Sequence, residues 1–219
     1  MKFPKIRPVL QRPTLDIMFL TDATGSMTTA IQDVKKNMIS MTTVFLKEME
    51  PFWNTRIGLA SYKDMLDEEE LFSLHTRLTS DIDELEEGLK GLNIGGGDDR
   101  YESQILALYF LATSTMTTGW RHESDARFII WWGDEPGHDP IGFDDYRVTL
   151  PKTIDALKEA RTEVLAISVA PFNRLNGENQ VTDIINVVGG ELYENENQTG
   201  ITAKTYEYIK NALPGSSIH

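Results

Sequence analysis

The stretch Leu15 to Thr21 constrains the fold more than any other part of the chain. It reads as a continuous apolar run bounded by polar residues, the pattern of a strand buried on both faces. Such a strand needs a covering layer on each side of its sheet. Three more runs follow: Arg56 to Tyr62 (RIGLASY), Arg127 to Gly133 with Phe128, Ile129, Ile130, Trp131 and Trp132, and Val164 to Ala170 (VLAISVA). Trp120, Trp131 and Trp132 flank or occupy the third run and belong to the core or its rim.

Helical periodicity fills the intervals. Met27, Ile31, Val34, Met38, Met41 and Phe45 recur at three- and four-residue steps, predicting a long amphipathic helix from Ser26 to just before Pro51. Its methionine stripe reads as core packing. Asp81 with Glu84 predicts a short helix opened by a capping box and ending near Gly91. Apolar residues nearly encircle a helix predicted over Arg100 to Met116. Further helices are expected over Leu150 to Arg161, Val181 to Val188 and Ile201 to Ala212. Leu71 to Leu78 alternates in part and reads as an antiparallel edge strand reached by a hairpin from RIGLASY. Gly189-Gly190 turns the chain into a short strand, Glu191 to Tyr193.

Strands alternating with helices specify an α/β fold: a doubly wound, mostly parallel sheet with one antiparallel edge strand and helices on both faces. The 219 residues suit one sizeable domain. It is placed at 14–213, after an extended, proline-interrupted lead-in over 1–13 and before a tail over 214–219. No run of about 18 apolar residues predicts a membrane span. The basic N-terminus lacks the apolar core of a signal peptide, so the expected location is cytoplasmic. Cysteine is absent, which excludes disulfides, thiolate zinc sites and cysteine nucleophiles. A net charge of −13 argues against nucleic acid and for a cation or a basic protein surface.

The chemistry concentrates where predicted strands end. Asp22, Thr24 and Ser26 fall at alternate positions in the loop after the first strand. Alternate side chains of a tight loop converge on one point, and a carboxylate with two hydroxyls suits a hard cation. The structural alternative makes Ser26 a plain N-cap and Asp22 a strand-end residue. Gly95-Gly96-Gly97-Asp98-Asp99 supplies two more carboxylates, and Asp134 closes the strand that holds Trp131 and Trp132. Doubly wound sheets bind ligands at the carboxyl ends of their strands, at a topological switch point. Three acidic loops facing one crevice repel one another unless a divalent cation joins them. The candidate metal residues are therefore Asp22, Thr24, Ser26, Asp98, Asp99 and Asp134.

In this order the segments resemble the von Willebrand factor type A (VWA) domain, a Rossmann-like fold with a metal-ion-dependent adhesion site. Asp22-Ala23-Thr24-Gly25-Ser26 is similar to the family's Asp-x-Ser/Thr-x-Ser signature. Gly96-Gly97-Asp98-Asp99 stands where the family has its second metal loop, and Asp134 matches its strand-closing aspartate. Gly189-Gly190-Glu191-Leu192-Tyr193 resembles its turn before the last strand, with weaker matches at Arg56-Ile57-Gly58 and Tyr62-Lys63-Asp64. The resemblance covers about Thr14 to Leu213. It implies Mg²⁺ bound by the Thr24 and Ser26 hydroxyls, by Asp22 directly or through water, and by Asp98 or Asp99. Asp134 would orient a bound water. Mn²⁺ or Ca²⁺ suits similar ligands. It also implies a binding module without catalysis, in which an Asp or Glu carboxylate of a protein or peptide partner fills the ion's open position. Many members carry threonine in the second loop, and carboxylates there make the ion less electrophilic.

Two other readings compete. A Mg²⁺-dependent phosphatase or phosphotransferase would use Asp22 as nucleophile, but Thr24 stands where it needs a second carboxylate, and no Walker or Gly-x-Ser-x-Gly motif occurs. The other is a structural module with a vestigial metal site. His138 reads as a loop histidine packing over the site, and Asp64 as at most a supporting residue. The acidic run Asp67 to Glu70 reads as a solvated loop.

Overall fold

Alternate side chains of β1 (Thr14–Asp22) enter two separate cores. Leu15, Ile17 and Phe19 face one layer, while Met18 and Leu20 face the other. The computed structural model describes residues 12–64, 71–97, 99–143, 146–197 and 200–213. The other strands are β2 (Asn54–Tyr62), β3 (Phe72–Thr79), β4 (Ala126–Gly133), β5 (Ile141–Phe143), β6 (Tyr146–Val148), β7 (Glu163–Val169) and β8 (Gly190–Asn195). The helices are α1 (Thr28–Met49), α2 (Ile82–Gly91), α3 (Gln104–Thr113), α4 (Thr115–Thr118), α5 (Leu150–Glu159), α6 (Gln180–Val188) and α7 (Ile201–Ala212).

The main sheet has the order β3-β2-β1-β4-β7-β8. All neighbours pair in parallel except β3, which is antiparallel to β2 at the edge. The fold is thus the doubly wound α/β arrangement that the strand and helix pattern specifies. From β1 the chain moves outward through β2 to β3, then returns to β4 on the other side of β1. The switch point therefore lies between β1 and β4. Residues of α1, α2 and α7, such as Ile31, Met38, Leu85 and Ile209, cover one face. Ile105, Leu108, Leu157 and Ile184 of α3, α5 and α6 cover the other. Each such fully buried aliphatic side chain is worth roughly 1.5–3 kcal/mol.

Trp120, Trp131 and Trp132 are core residues with satisfied N–H groups. Trp132 stacks on Phe19 at 5.2 Å and donates to Thr205 Oγ1 at 3.2 Å. Trp131, pointing to the opposite face, donates to the Tyr62 hydroxyl at 2.9 Å. Trp120 donates to the Leu111 carbonyl at 2.8 Å. No described helix is long and apolar enough to cross a membrane.

Several boundaries differ from expectation, each for a local reason. The helix expected from Arg100 begins at Gln104, because Glu102 pairs like a strand with Gly137 instead of opening the helix. It breaks at Ser114, leaving α4 as a separate turn closed by Gly119 in the left-handed region. Asp81 caps α2 by accepting from Asp83 N, but its own N–H goes to Thr79 Oγ1, so the return bond of a capping box is not made. The short hairpin of β5 and β6 carries no periodic signal long enough to read. The lead-in up to residue 11, the acidic run at 67–70 and the tail over 214–219 lie outside the described residues.

Gly190 holds β8 against β7. Its φ is +123°, and an added Cβ would lie 1.9 Å from the Val164 carbonyl oxygen. Gly190→Ala is expected to lower stability by about 1–3 kcal/mol through strain and forced separation of the strands. Urea unfolding of the variant checks this, and an unchanged midpoint would contradict the close approach.

Candidate metal centre

Three loops meet at the switch point. Asp22 ends β1 opposite Tyr62, and Thr21 is level with Trp132, so Asp134 follows on the adjacent strand end. Beyond Asp22 the chain makes a 3-10 turn, Gly25–Met27, and enters α1. Asp22 Oδ1 accepts from the Thr24 backbone N at 2.8 Å and its Oγ1 at 2.6 Å. Thr24 Oγ1 lies 3.2 Å from Ser26 Oγ. The alternate residues therefore converge. Neither the turn nor α1 has a side-chain cap bond, so Ser26 is not serving as an N-cap.

Backbone bonds fasten the loops to one another. Ala23 N donates to Tyr62 O, Gly95 N to Ala23 O and Gly25 N to Gly96 O. Gly97 has φ +89°, and a Cβ there would stand 3.1 Å from Thr24 Cβ and 3.7 Å from Glu102 Oε1. A side chain at this position would crowd Thr24 and strain the backbone. On the far side, Glu102 N donates to Pro136 O and His138 N to Glu102 O, each at 3.0 Å. The segment after Asp134 is thereby tied to the one after the glycines.

The second loop delivers its carboxylates in an unforeseen way. Asp98 lies outside the described residues. Asp99 sits beside Asp64 and His138: its backbone N donates to Asp64 Oδ2 at 3.1 Å, and its Oδ2 is 3.5 Å from His138 Nε2. Glu102, which the sequence reading passed over, lies close enough to Asp22 and Asp134 to feel both charges. No local signal marks it, because its neighbours Arg100, Tyr101, Ser103 and Gln104 are polar and the segment it pairs with is remote in the chain.

The centre is rich in buried negative charge and poor in donors. Asp22, Asp134 and Glu102 are all buried. Asp22 Oδ2, both oxygens of Asp134 and Glu102 Oε2 have no hydrogen-bond partner among the described residues. Burial pushes the Asp22 carboxyl up to about 8, with the nearby Asp134 adding to the rise and bonds from Thr24 opposing it. Burial, then the charges of Asp22, Asp64, Asp134 and Asp99, push Glu102 up to about 10. Burial also raises Asp134, with Ser26 and Asp22 offsetting part of the shift. The adjacent Arg174 and Arg100 are both engaged by Glu135.

Asp16 gives the comparison within the same molecule. It is equally buried, inside the run read as continuously apolar, at the opposite end of β1. There Arg56 and Arg121 surround it, with Arg121 Nε at 2.9 Å and Arg56 Nε and Nη2 at 3.2 Å. Burial alone would raise this carboxyl, yet the bonds from Arg121 and Arg56 hold it below its usual range. A buried carboxylate with guanidinium partners is settled; the group at the other end has none. Unpartnered carboxylate oxygens beside two hydroxyls fit a hard divalent cation, and Asp22, Thr24, Ser26, Glu102 and Asp134 are the residues that would hold it.

The raised carboxyls make stability depend on pH. Their protonated forms favour the folded chain; that contribution is complete below the unfolded value of roughly 4. It is lost as pH rises through about 8 for Asp22 and about 10 for Glu102. Melting temperature in EDTA should therefore fall from about pH 5 to about pH 9, and saturating Mg²⁺ should flatten the fall. Thermal melts across that range test it, and pH-independent melts in EDTA would sink the assignment of strain to these groups.

The two ends of β1 should respond oppositely to loss of charge. Asp16→Asn is expected to cost about 2–4 kcal/mol, because Arg56 and Arg121 lose their anion while remaining partly exposed. Asp134→Asn without metal near neutral pH should leave stability unchanged or raised, because it removes repulsion. Denaturant titration of both variants decides the matter, and equal losses would refute the contrast.

No protein-family model and no curated protein matches the sequence. Among solved structures, the chain is similar to the D319A mutant of the PilB minor pilin from Streptococcus sanguinis, with TM-score 0.58 and 13% identity. The match covers 94% of this chain and 62% of that one, so the chain spans less than two thirds of that pilin's length. At this identity the likeness establishes the fold alone.

Proposed function

We propose that the chain is a divalent-cation-dependent recognition module of the VWA kind. In this reading Mg²⁺ is held by Asp22, Thr24, Ser26, Glu102 and Asp134, and Mn²⁺ substitutes for it. Glu102 takes the part that the resemblance gave to Asp98 or Asp99. A carboxylate from an Asp or Glu of a partner protein completes the ion's coordination, without covalent chemistry. The cytoplasm is the proposed setting. One observation carries the reading: the buried Asp22 Oδ2, both Asp134 oxygens and Glu102 Oε2 at the switch point make no well-formed hydrogen bond among the described residues, with only the Ser26 hydroxyl near Asp134. Burying that much charge unpaired costs several kcal/mol per group, and a dication removes the cost.

Titration calorimetry with Mg²⁺ and Mn²⁺ on EDTA-stripped protein tests the metal. One saturable site is expected, lost in Asp22→Ala while the far-UV spectrum stays unchanged. Neither heat nor a thermal shift with either ion would leave a structural module with a vestigial site. A Mg²⁺-dependent pull-down then tests partner capture, and hydrolysis of a generic phosphate ester would turn the reading towards an enzyme.

A further inference from the structure

We infer that Asp64, Asp99 and His138 form a second cation site, selective for a first-row transition dication such as Zn²⁺. The inference does not depend on Mg²⁺ binding at the Asp22 centre. One ligand atom from each residue lies within 4.8 Å of the other two. His138 Nε2 is 3.7 Å from Asp64 Oδ1 and 3.5 Å from Asp99 Oδ2. These separations are too long for hydrogen bonds. They are close to the spacing of neighbouring ligands around an ion with bonds of about 2.1 Å, which is roughly 3.0–3.4 Å.

The three groups are fixed in place, and each carboxylate is divided in the same manner. Asp64 Oδ2 accepts from Asp99 N at 3.1 Å, and Oδ1 turns towards the imidazole. Asp99 Oδ1 accepts from Tyr101 N at 2.6 Å, and Oδ2 turns towards the imidazole. His138 is held by its backbone bond to Glu102 O, and its ring packs against Tyr101 with centroids 5.5 Å apart. Its Nε2 is buried and has no hydrogen-bond partner among the described residues.

The second observation is the imidazole nitrogen itself: His138 Nε2 is a buried atom, unpartnered among the described residues, and it faces one oxygen of each aspartate. Glu102, which belongs to the ligand set proposed around Asp22, also feels the charges of Asp64 and Asp99. A buried group of this kind without donors of its own calls for positive charge nearby. The donor set chooses the ion. An imidazole nitrogen among carboxylate oxygens suits Zn²⁺, Mn²⁺ or Co²⁺ better than Mg²⁺, and three protein ligands leave a position for water. The plain alternative is direct pairing of His138 with the two aspartates, which needs no metal.

The test uses the full, tag-free chain, stripped with EDTA and held in excess Mg²⁺. Bound Zn²⁺ is counted by elemental analysis, and Co²⁺ ligation is read from its visible absorption. One equivalent of each is expected. His138→Ala and Asp99→Asn should each bind at least about tenfold more weakly, in line with the loss of a coordinating group. Asp99 is partly exposed, so the second variant keeps the test valid if the first unfolds. Asp22→Asn should retain the Zn²⁺, which separates this site from the Mg²⁺ reading, and His122→Ala should behave as wild type. No bound Zn²⁺ in the wild type, binding unchanged in Asp99→Asn, or loss of Zn²⁺ in Asp22→Asn would overturn the inference.

Discussion

A carboxylate taken out of water needs a positive partner, and the central strand meets that need in opposite ways at its two ends. At the amino end, Asp16 lies between Arg56 and Arg121, whose side chains also tie β1 to neighbouring backbone at Leu15, Asn54 and Gly119. That cluster is complete in itself and fastens the bottom of the sheet. At the carboxyl end, Asp22, Asp134 and Glu102 share one buried space with hydroxyls but without a guanidinium group of their own. The nearest arginines are taken by Glu135, which Arg174 and Arg100 hold at the rim. The fold therefore stores a charge deficit at one end of the sheet. Its topology puts that deficit at the switch point, the place where doubly wound sheets bind their ligands.

The positions of these groups follow from the backbone more than from side-chain packing. Parallel pairing keeps the ends of β1 and β4 level, and the glycine loop is bonded directly to Ala23 and Gly25. The pairing of Glu102 with Gly137 joins the remaining two segments. In the proposed reading, ligand groups set on such a frame would move little on binding an ion, so less of the binding energy would go into ordering them.

The strands and long helices were legible because burial imposes period. Leu15 to Thr21, RIGLASY, VLAISVA and the stripe from Met27 to Phe45 all became the elements their patterns specified. The sequence could not reveal features where a polar residue breaks the local rule for a distant reason. Asp16 was absorbed into an apolar run, since its arginine partners lie 40 and 105 residues away. Glu102 was read as the first turn of a helix because its partner, the segment from Pro136 to His138, is remote in the chain. The loop signature at Asp22, Thr24 and Ser26 was readable since all three sit within five residues, and the structure brings them together as the alternation required. His138 and Asp64 carry no signal singly, and only the fold brings them side by side.

The charge of the proposed ligand set bears on what it can hold. Asp22, Asp134 and Glu102 together carry one more negative charge than a dication neutralises. A threonine in place of Glu102 would leave the ion neutralised and more attractive to an incoming anion. In the proposed reading the ion itself would attract a partner carboxylate less strongly, and the surroundings would have to supply part of the pull. Two features do so. The helix that follows Ser26 directs its N-terminal dipole at the site. Arg100 and Arg174, whose side chains are 53% and 42% exposed, both pair with Glu135, the residue that follows Asp134. In the proposed reading these guanidinium groups would add to the pull on an incoming anion, and recognition would depend on them as well as on the metal.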